Sequence, residues 1–232
     1  MLLYDSPVSG NCYKVRLLLA HLAIPYERRT VDVVDRSNRP QLLGGLNPAL
    51  RVPTLVLDDG LALRESGAIL WYFGEGTRFV PEDRYERAQV LQWMFFEQYD
   101  HEPAIAVARF WLTHSRPTNS RGSTGHFRRI EGGASDPDAG TASGASAGRP
   151  EAFEERLAER TAAGYRALDA MERHLDGREY LVGGGMTLAD IALYAYTHVA
   201  HEGGFDLAPY PTIRGWCERV EQQPNWAPIT ER

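Results

Sequence analysis

Lysine is nearly missing from this chain. Of its 25 cationic side chains 24 are arginine, and Lys14 is the one lysine. We read that skew as base-composition bias in the source and not as function. Cysteine is scarce too: Cys12 and Cys217 are the only two. Two thiols cannot make a disulfide framework and offer no zinc-ligand spacing, so no metal site is expected and a reducing compartment is the default. Positive net charge is lacking as well. At −6 the chain has no electrostatic footprint for a nucleic-acid partner. No apolar run approaches the ~18 residues of a membrane span. The N-terminus lacks the basic start and cleavage site of a signal peptide. A soluble, cytoplasmic protein is expected.

What is present suffices for a sizeable core. The chain has 232 residues, 43% of them hydrophobic and 10% aromatic, which allows one large domain or two small ones. Leu2–Leu3–Tyr4 reads as a buried strand. Asp5, Ser6, Pro7, Ser9, Gly10 and Asn11 make a loop. From Cys12 the pattern turns helical, with Val15, Leu18, Leu19 and Leu22 at i, i+3, i+4 and i+7. That helix ends near Ala23, because Pro25 cannot continue it. Tyr26 to Val33 is β-rich and predicts a second strand. A polar stretch from Asp35 leads to a short helical piece around Leu42. Thr54–Leu57, the turn Asp58–Asp59–Gly60 and Leu61–Leu63 predict a hairpin. Ser66 then opens a helix through Ala68, Ile69, Leu70, Tyr72 and Phe73. The order β-α-β-α-β-β-α in about 75 residues is a thioredoxin-like layout.

From about Arg84 the chain reads as all-helical. Residues 85–114 predict one long helix, bent at Pro103. Residues 153–175 repeat apolar or small side chains at helical spacing. Thr187–Leu188–Ala189–Asp190 is a capping-box variant, with Met186 and Ile191 as its staple. Pro211 opens a last helix that ends before Pro224. Between the first two of these helices, Arg116 to Pro150 holds the run GGASDPDAGTASGASAG and little large apolar residue beyond Phe127 and Ile130. Such a composition cannot offset its ordering entropy, so a disordered insertion is expected at 116–150.

Several local motifs stand in one order. Asn47–Pro48 precedes Arg51–Val52–Pro53, then the hairpin, then Glu65–Ser66 followed by Gly67–Ala68–Ile69, and finally Thr187–Asp190. Together they resemble the cytosolic glutathione transferases over nearly the whole chain outside 116–150. The resemblance implies an α/β thioredoxin-like domain at 1–78 and an all-α domain at 84–232. It also implies a cis proline at Pro53, a homodimer, and glutathione as co-substrate. Ser9–Gly10–Asn11–Cys12 is similar to the turn of serine-type bacterial, theta- and zeta-like members, and its Ser-x-Asn form to the Thr-x-Asn of nu-type disulfide-bond reductases. It departs from the Ser-Ser-Cys and Trp-Arg of zeta members and lacks the position-9 cysteine of beta and omega members.

On that resemblance Ser9 and Asn11 are the catalytic residues, steadying the glutathione sulfur as an anion at the start of the first helix. Free helix N–H groups there add about half a positive charge. Val52 and Pro53 would pair with the cysteinyl backbone like an added strand. Ser66 at a helix start suits the γ-glutamyl carboxylate, Glu65 its ammonium, and Arg51 the glycyl carboxylate. Phe110, Trp111, His114 and Phe205 are the candidate lining of a pocket for a small hydrophobic electrophile. Cys12 stands where a Cys-x-x-Cys motif has its second thiol. With Ser9 in the first place a two-cysteine cycle is excluded, leaving a packed residue or a mixed disulfide with glutathione. The expected activity is glutathione transfer to an electrophile. The alternatives are glutathione-dependent disulfide or peroxide reduction and a non-catalytic binding protein that keeps the fold.

Overall fold

The computed structural model describes residues 1–114 and 150–230. Four strands form one sheet in the order β2-β1-β3-β4. Strand β1 (Leu2–Asp5) pairs in parallel with β2 (Glu27–Thr30) and antiparallel with β3 (Thr54–Val56), which pairs antiparallel with β4 (Ala62–Arg64). Helices α1 (Gly10–His21), α2 (Arg39–Leu43) and α3 (Ser66–Gly74) complete this half. The second half is helical: α4 (Arg84–Phe96), α5 (Glu102–His114), α6 (Pro150–Leu175), α7 (Leu188–Thr197) and α8 (Pro211–Glu221). This is the thioredoxin-like plus all-α arrangement expected from the sequence.

Helix α1 lies between the two halves. Val15 and Leu19 join Leu3, Leu55 and Ile69 in the core over the sheet. Tyr13, Leu17 and Leu18 belong to the core of the helical half. A helix buried on both sides needs apolar residues nearly all round. The polar ones it carries are paired: Arg16 reaches Asp5 at 2.6 Å and the carbonyl of Ile229 at 2.7 Å.

Two elements differ from expectation for identifiable reasons, while α3 opens at Ser66 as expected, with Glu65 in the cap position. Strand β2 stops at Thr30, not Val33, because Asp32 Oδ1 accepts from the N–H groups of Val34 and Asp35 and turns the chain away. The long helix over 85–114 is broken by a π-helical turn at Glu97–His101, where Glu102 N–H bonds to the carbonyl of Glu97 five residues back. Pro103 is the cause: it has no N–H to give, and its ring excludes the carbonyl four residues before it, so the ladder widens to pass it.

Helix α7 is buried at each of its ten residues. Its start depends on Asp190, whose carboxylate accepts from Thr187 N and Thr187 Oγ1 at 2.8 and 3.0 Å. The same carboxylate accepts from Leu181 N and Trp216 Nε1. Met186 and Ile191 are both buried, as a staple requires. Among the described residues no helix is long and apolar enough to cross a membrane. The insertion expected at 116–150 lies outside the described residues, apart from Pro150 at the start of α6.

Candidate active site

A cleft of about 690 Å³ opens between the two halves. Asn11, Arg51, Val52, Pro53, Glu65 and Ser66 line it from the sheet side. Gln98, Tyr99, Glu102, Pro103, Val107 and Trp111 line it from the α4–α5 side, with Arg156 and Arg160 of α6. The motifs separated in sequence thus share one wall. The Val52–Pro53 peptide is cis. Asn47 holds that turn, donating from Nδ2 to the carbonyl of Arg51 and to Thr54 Oγ1, both at 3.0 Å. Glu65 has φ +62, a conformation side chains avoid, next to the cleft.

Asn11 is bonded to residues on both walls of the cleft. Its Oδ1 accepts from Lys14 Nζ at 2.7 Å and from Ser66 Oγ at 3.3 Å. Its Nδ2 donates to Glu102 Oε1 at 3.1 Å. Its backbone N–H donates to Tyr196 Oη at 3.2 Å. Lys14 can only donate, so the amide oxygen must face it and the NH2 must face Glu102. Lys14 also pairs with Glu97 Oε1 at 2.7 Å, with 1% and 2% of the two side chains exposed. The π turn that admits Pro103 therefore also delivers Glu97 to the base of α1. Burial pushes the Glu102 carboxyl above its ordinary range, against the opposing pull of Lys14.

Ser9 caps α1. Its Oγ accepts from Cys12 N–H at 3.3 Å, and it is not among the residues that line the cleft. With Asn11 N–H held by Tyr196, two of the first-turn amides are already used inside the protein. Gly10 is required where it stands. A Cβ there would lie 2.5 Å from the Tyr196 ring.

The other expected pocket residues separate. Trp111 lines the cleft. Phe110 and His114 stack on each other with ring centroids 5.5 Å apart and do not line it. Phe205 is a correction: it is 2% exposed, seated on Gly164 where a Cβ would meet its ring at 2.4 Å, and edge-on to Tyr165. An aromatic beside a glycine on a facing helix fills the core instead of the cleft. Cys12 is fully buried and burial pushes its thiol up to about 12, which favours the packed residue over the mixed disulfide. Burial raises Cys217 similarly.

Sequence reasoning missed Lys14, Glu97, Glu102, Tyr196, Arg156 and Arg160. One signal was available: a lysine on a helix buried on both sides must find a carboxylate. Arg36 and Arg39, passed over as a polar stretch, also line the cleft. Burial, with repulsion from Arg51, lowers the affinity of Arg36 for its proton, and burial, with repulsion from Arg36 and Arg51, lowers that of Arg39. That end of the cleft is strongly positive. Among the described residues no group of three or more His, Cys, Asp or Glu side chains could hold a metal ion.

Comparison with known proteins agrees with this geometry. Residues 8–75 match the glutathione S-transferase N-terminal domain and residues 139–224 the C-terminal domain. A crystal structure of a glutathione S-transferase from Pseudomonas fluorescens is 40% identical, with a TM-score of 0.82 over 99% of this chain and 98% of that one. The structure of Ure2p in complex with glutathione, 21% identical, shares the fold with a TM-score of 0.74 over 97% of this chain and 95% of that one. In sequence the chain is 28% identical to the transcriptional regulator URE2 of Saccharomyces cerevisiae over 96% of its own length, and it spans 65% of that protein. The chain belongs to the glutathione S-transferase family.

Proposed function

We propose that the protein is a glutathione transferase that holds the glutathione sulfur as a thiolate beside Asn11 and directs it at a small electrophile. The observation that carries this is the shared wall of Asn11, Val52–Pro53 and Glu65–Ser66 in one cleft. In the reaction the thiol gives its proton to solvent. The sulfur electron pair forms a bond to the electrophilic carbon, and the leaving group departs with its bonding pair. A free thiol has a pKa of about 8.5, and lowering it by two units takes ~2.7 kcal/mol. The amide NH2 of Asn11 has two protons and Glu102 takes one. The second, as a charge-assisted hydrogen bond worth ~1.5–3 kcal/mol, supplies most of that shift. The α1 terminus adds ~0.3–1 kcal/mol, and Ser9 acts through that terminus, which its oxygen caps. Val52 and Pro53 pair with the cysteinyl backbone, and Glu65 and Ser66 take the γ-glutamyl end. Arg51, with Arg36 and Arg39 behind it, takes the glycyl carboxylate.

The protein is proposed to act in the cytoplasm, in detoxification, as a homodimer. The half-exposed or more exposed rings of Tyr72, Tyr85 and Phe95 on α3 and α4 support self-association. A second reading, a glutathione-binding protein without turnover, is favoured by the likeness to a transcriptional regulator. Glutathione-dependent reduction of disulfides or peroxides is the remaining enzymatic alternative. Calorimetry with glutathione, followed by turnover of chlorodinitrobenzene and of hydroxyethyl disulfide, separates the three. Absence of glutathione binding overturns them all.

A further inference from the structure

Asn11 presents one NH2 group to two anions. One of its protons goes to Glu102 Oε1, with nitrogen and oxygen 3.1 Å apart. The other is assigned above to the glutathione sulfur. The two N–H bonds of an amide diverge by about 120°, which sets an oxygen and a sulfur bonded to them roughly 5–6 Å apart. Two negative charges at that distance repel by about two pKa units at the effective dielectric of a protein site. The sulfur and the carboxyl therefore titrate as a pair, and near neutral pH the pair keeps one proton.

Lys14 does not cancel the second charge. Its ammonium is bonded to Glu97 Oε1 of the π turn and to Asn11 Oδ1, both at 2.7 Å. Arg51 before β3, Glu65 at the start of α3, and Arg156 and Arg160 of α6 face Glu102 around the cleft. Tyr196 of α7 approaches it from the core side. Burial favours the neutral form of this carboxyl, with Lys14 opposing and Glu97 adding to the effect. Among the described residues the cleft is lined by two carboxylates, Glu65 and Glu102, and by no histidine or cysteine. Glu65 is assigned above to the γ-glutamyl ammonium. His101, next to Glu102 in the chain, is fully buried and bonded to Thr197. Glu102 is the carboxylate left for a proton.

We infer that Glu102 is the first acceptor of the glutathione thiol proton, reached from the sulfur through one water. A gap of roughly 5–6 Å is what a single water spans with two hydrogen bonds. This rests on the thiolate reading of the same cleft and names where the proton stands before it reaches solvent. The S–H and the Glu102 carboxylate become a thiolate and a carboxylic acid, so the charge of the site is unchanged. The sulfur electron pair then bonds to the electrophilic carbon and the leaving group departs with its own pair. The sulfur is now neutral, the repulsion is gone, and Glu102 releases its proton to solvent.

The test counts protons against thiolates. Calorimetry of glutathione binding to the full chain at pH 7, in buffers of different ionisation enthalpy, gives the protons released. Ultraviolet absorbance of the same complex gives the thiolate formed, and S-methylglutathione supplies the blank for both. The unaltered protein is expected to release fewer than about 0.3 protons per thiolate, and E102Q at least about 0.8. An infrared difference spectrum should show a protonated carboxyl appearing with glutathione in the unaltered protein and not in E102Q. About one proton per thiolate in the unaltered protein overturns the inference and leaves the transferase reading standing. So does a low count that persists in E102Q. Should E102Q fail to fold, the count and the carboxyl band of the unaltered protein decide alone. Binding without any thiolate ends the inference and the thiolate reading together, and no binding ends the glutathione reading itself.

Discussion

The ammonium of Lys14 lies 2.7 Å from Asn11 Oδ1, and this contact decides which end of the Asn11 amide meets the cleft. A lysine offers only donors, so the carbonyl end is committed to it and the NH2 end is left for an anion. The only lysine in the chain is therefore spent inside the protein, one side chain away from the proposed sulfur position.

Asn11→Ala is expected to raise the pKa of bound glutathione by one to two units. That is the equivalent of a charge-assisted hydrogen bond of ~1.5–3 kcal/mol at about 1.4 kcal/mol per unit. Ultraviolet thiolate absorbance across a pH titration reads it directly, and an unchanged midpoint would remove Asn11 from the mechanism. Ser9→Ala should show a smaller rise and lose ~1 kcal/mol of stability, because its oxygen caps α1.

Lys14→Met leaves Glu97 charged, buried and unpaired, and should cost ~3–5 kcal/mol of stability. The double variant Lys14→Met, Glu97→Leu removes both charges and should recover most of that loss in a urea melt. It should still raise the bound thiol pKa, since Asn11 Oδ1 then loses the charged donor that fixes the amide. A double variant with the parent's thiol pKa would show that Lys14 serves stability alone.

Gly10→Ala places a methyl group 2.5 Å from the Tyr196 ring. The ring is buried and cannot yield without moving the hydroxyl that holds Asn11 N–H. The expected cost is ~1–3 kcal/mol, with weakened glutathione binding. Thermal melts and calorimetry check the two effects separately.

Acid should destabilise the fold through a buried histidine. Thr197 Oγ1 donates to the carbonyl of Leu193, so it accepts from His101 Nε2–H at 2.9 Å. His101 Nδ1 is then bare and without a partner. Burial, with a smaller contribution from Lys14, lowers this ring to about 3 from the usual 6.5. Below pH 6.5 the unfolded chain binds a proton that the folded chain refuses. Stability therefore falls as pH drops from 6.5 towards 3, by about 1.4 kcal/mol per unit. His198, lowered to about 4 by burial, adds to the same slope down to that value. His101→Gln should flatten the slope of unfolding free energy against pH. An identical slope would locate the acid sensitivity elsewhere.

Cys12 should not react with Ellman's reagent in the native protein near neutral pH. Burial holds its thiol near 12, and no thiolate is then available. Full labelling of both cysteines is expected only in denaturant, and rapid native labelling at Cys12 would contradict its burial.

Much of the fold was legible because its signals are local. Periodicity marked α1, Pro25 and Pro224 marked where helices end, and Thr187–Asp190 marked the start of α7 from residues within one turn of each other. Val52–Pro53 and Glu65–Ser66, motifs readable in the sequence, line one cleft in the structure. β2 was overextended because the Asp32 turn competes with β propensity over a span of three residues.

The sequence alone determined the element order of the first half, the capping box of α7 and the family's motifs, since each depends on neighbours a few residues away. Only the tertiary structure decided that Lys14 meets Glu97, that Phe205 seats on Gly164 in the core, and that Arg156 and Arg160 face the cleft. Those outcomes depend on which surfaces pack together. A buried charge or a large ring takes its partner from whatever the packing brings within about 4 Å, at sequence separations that no local pattern encodes.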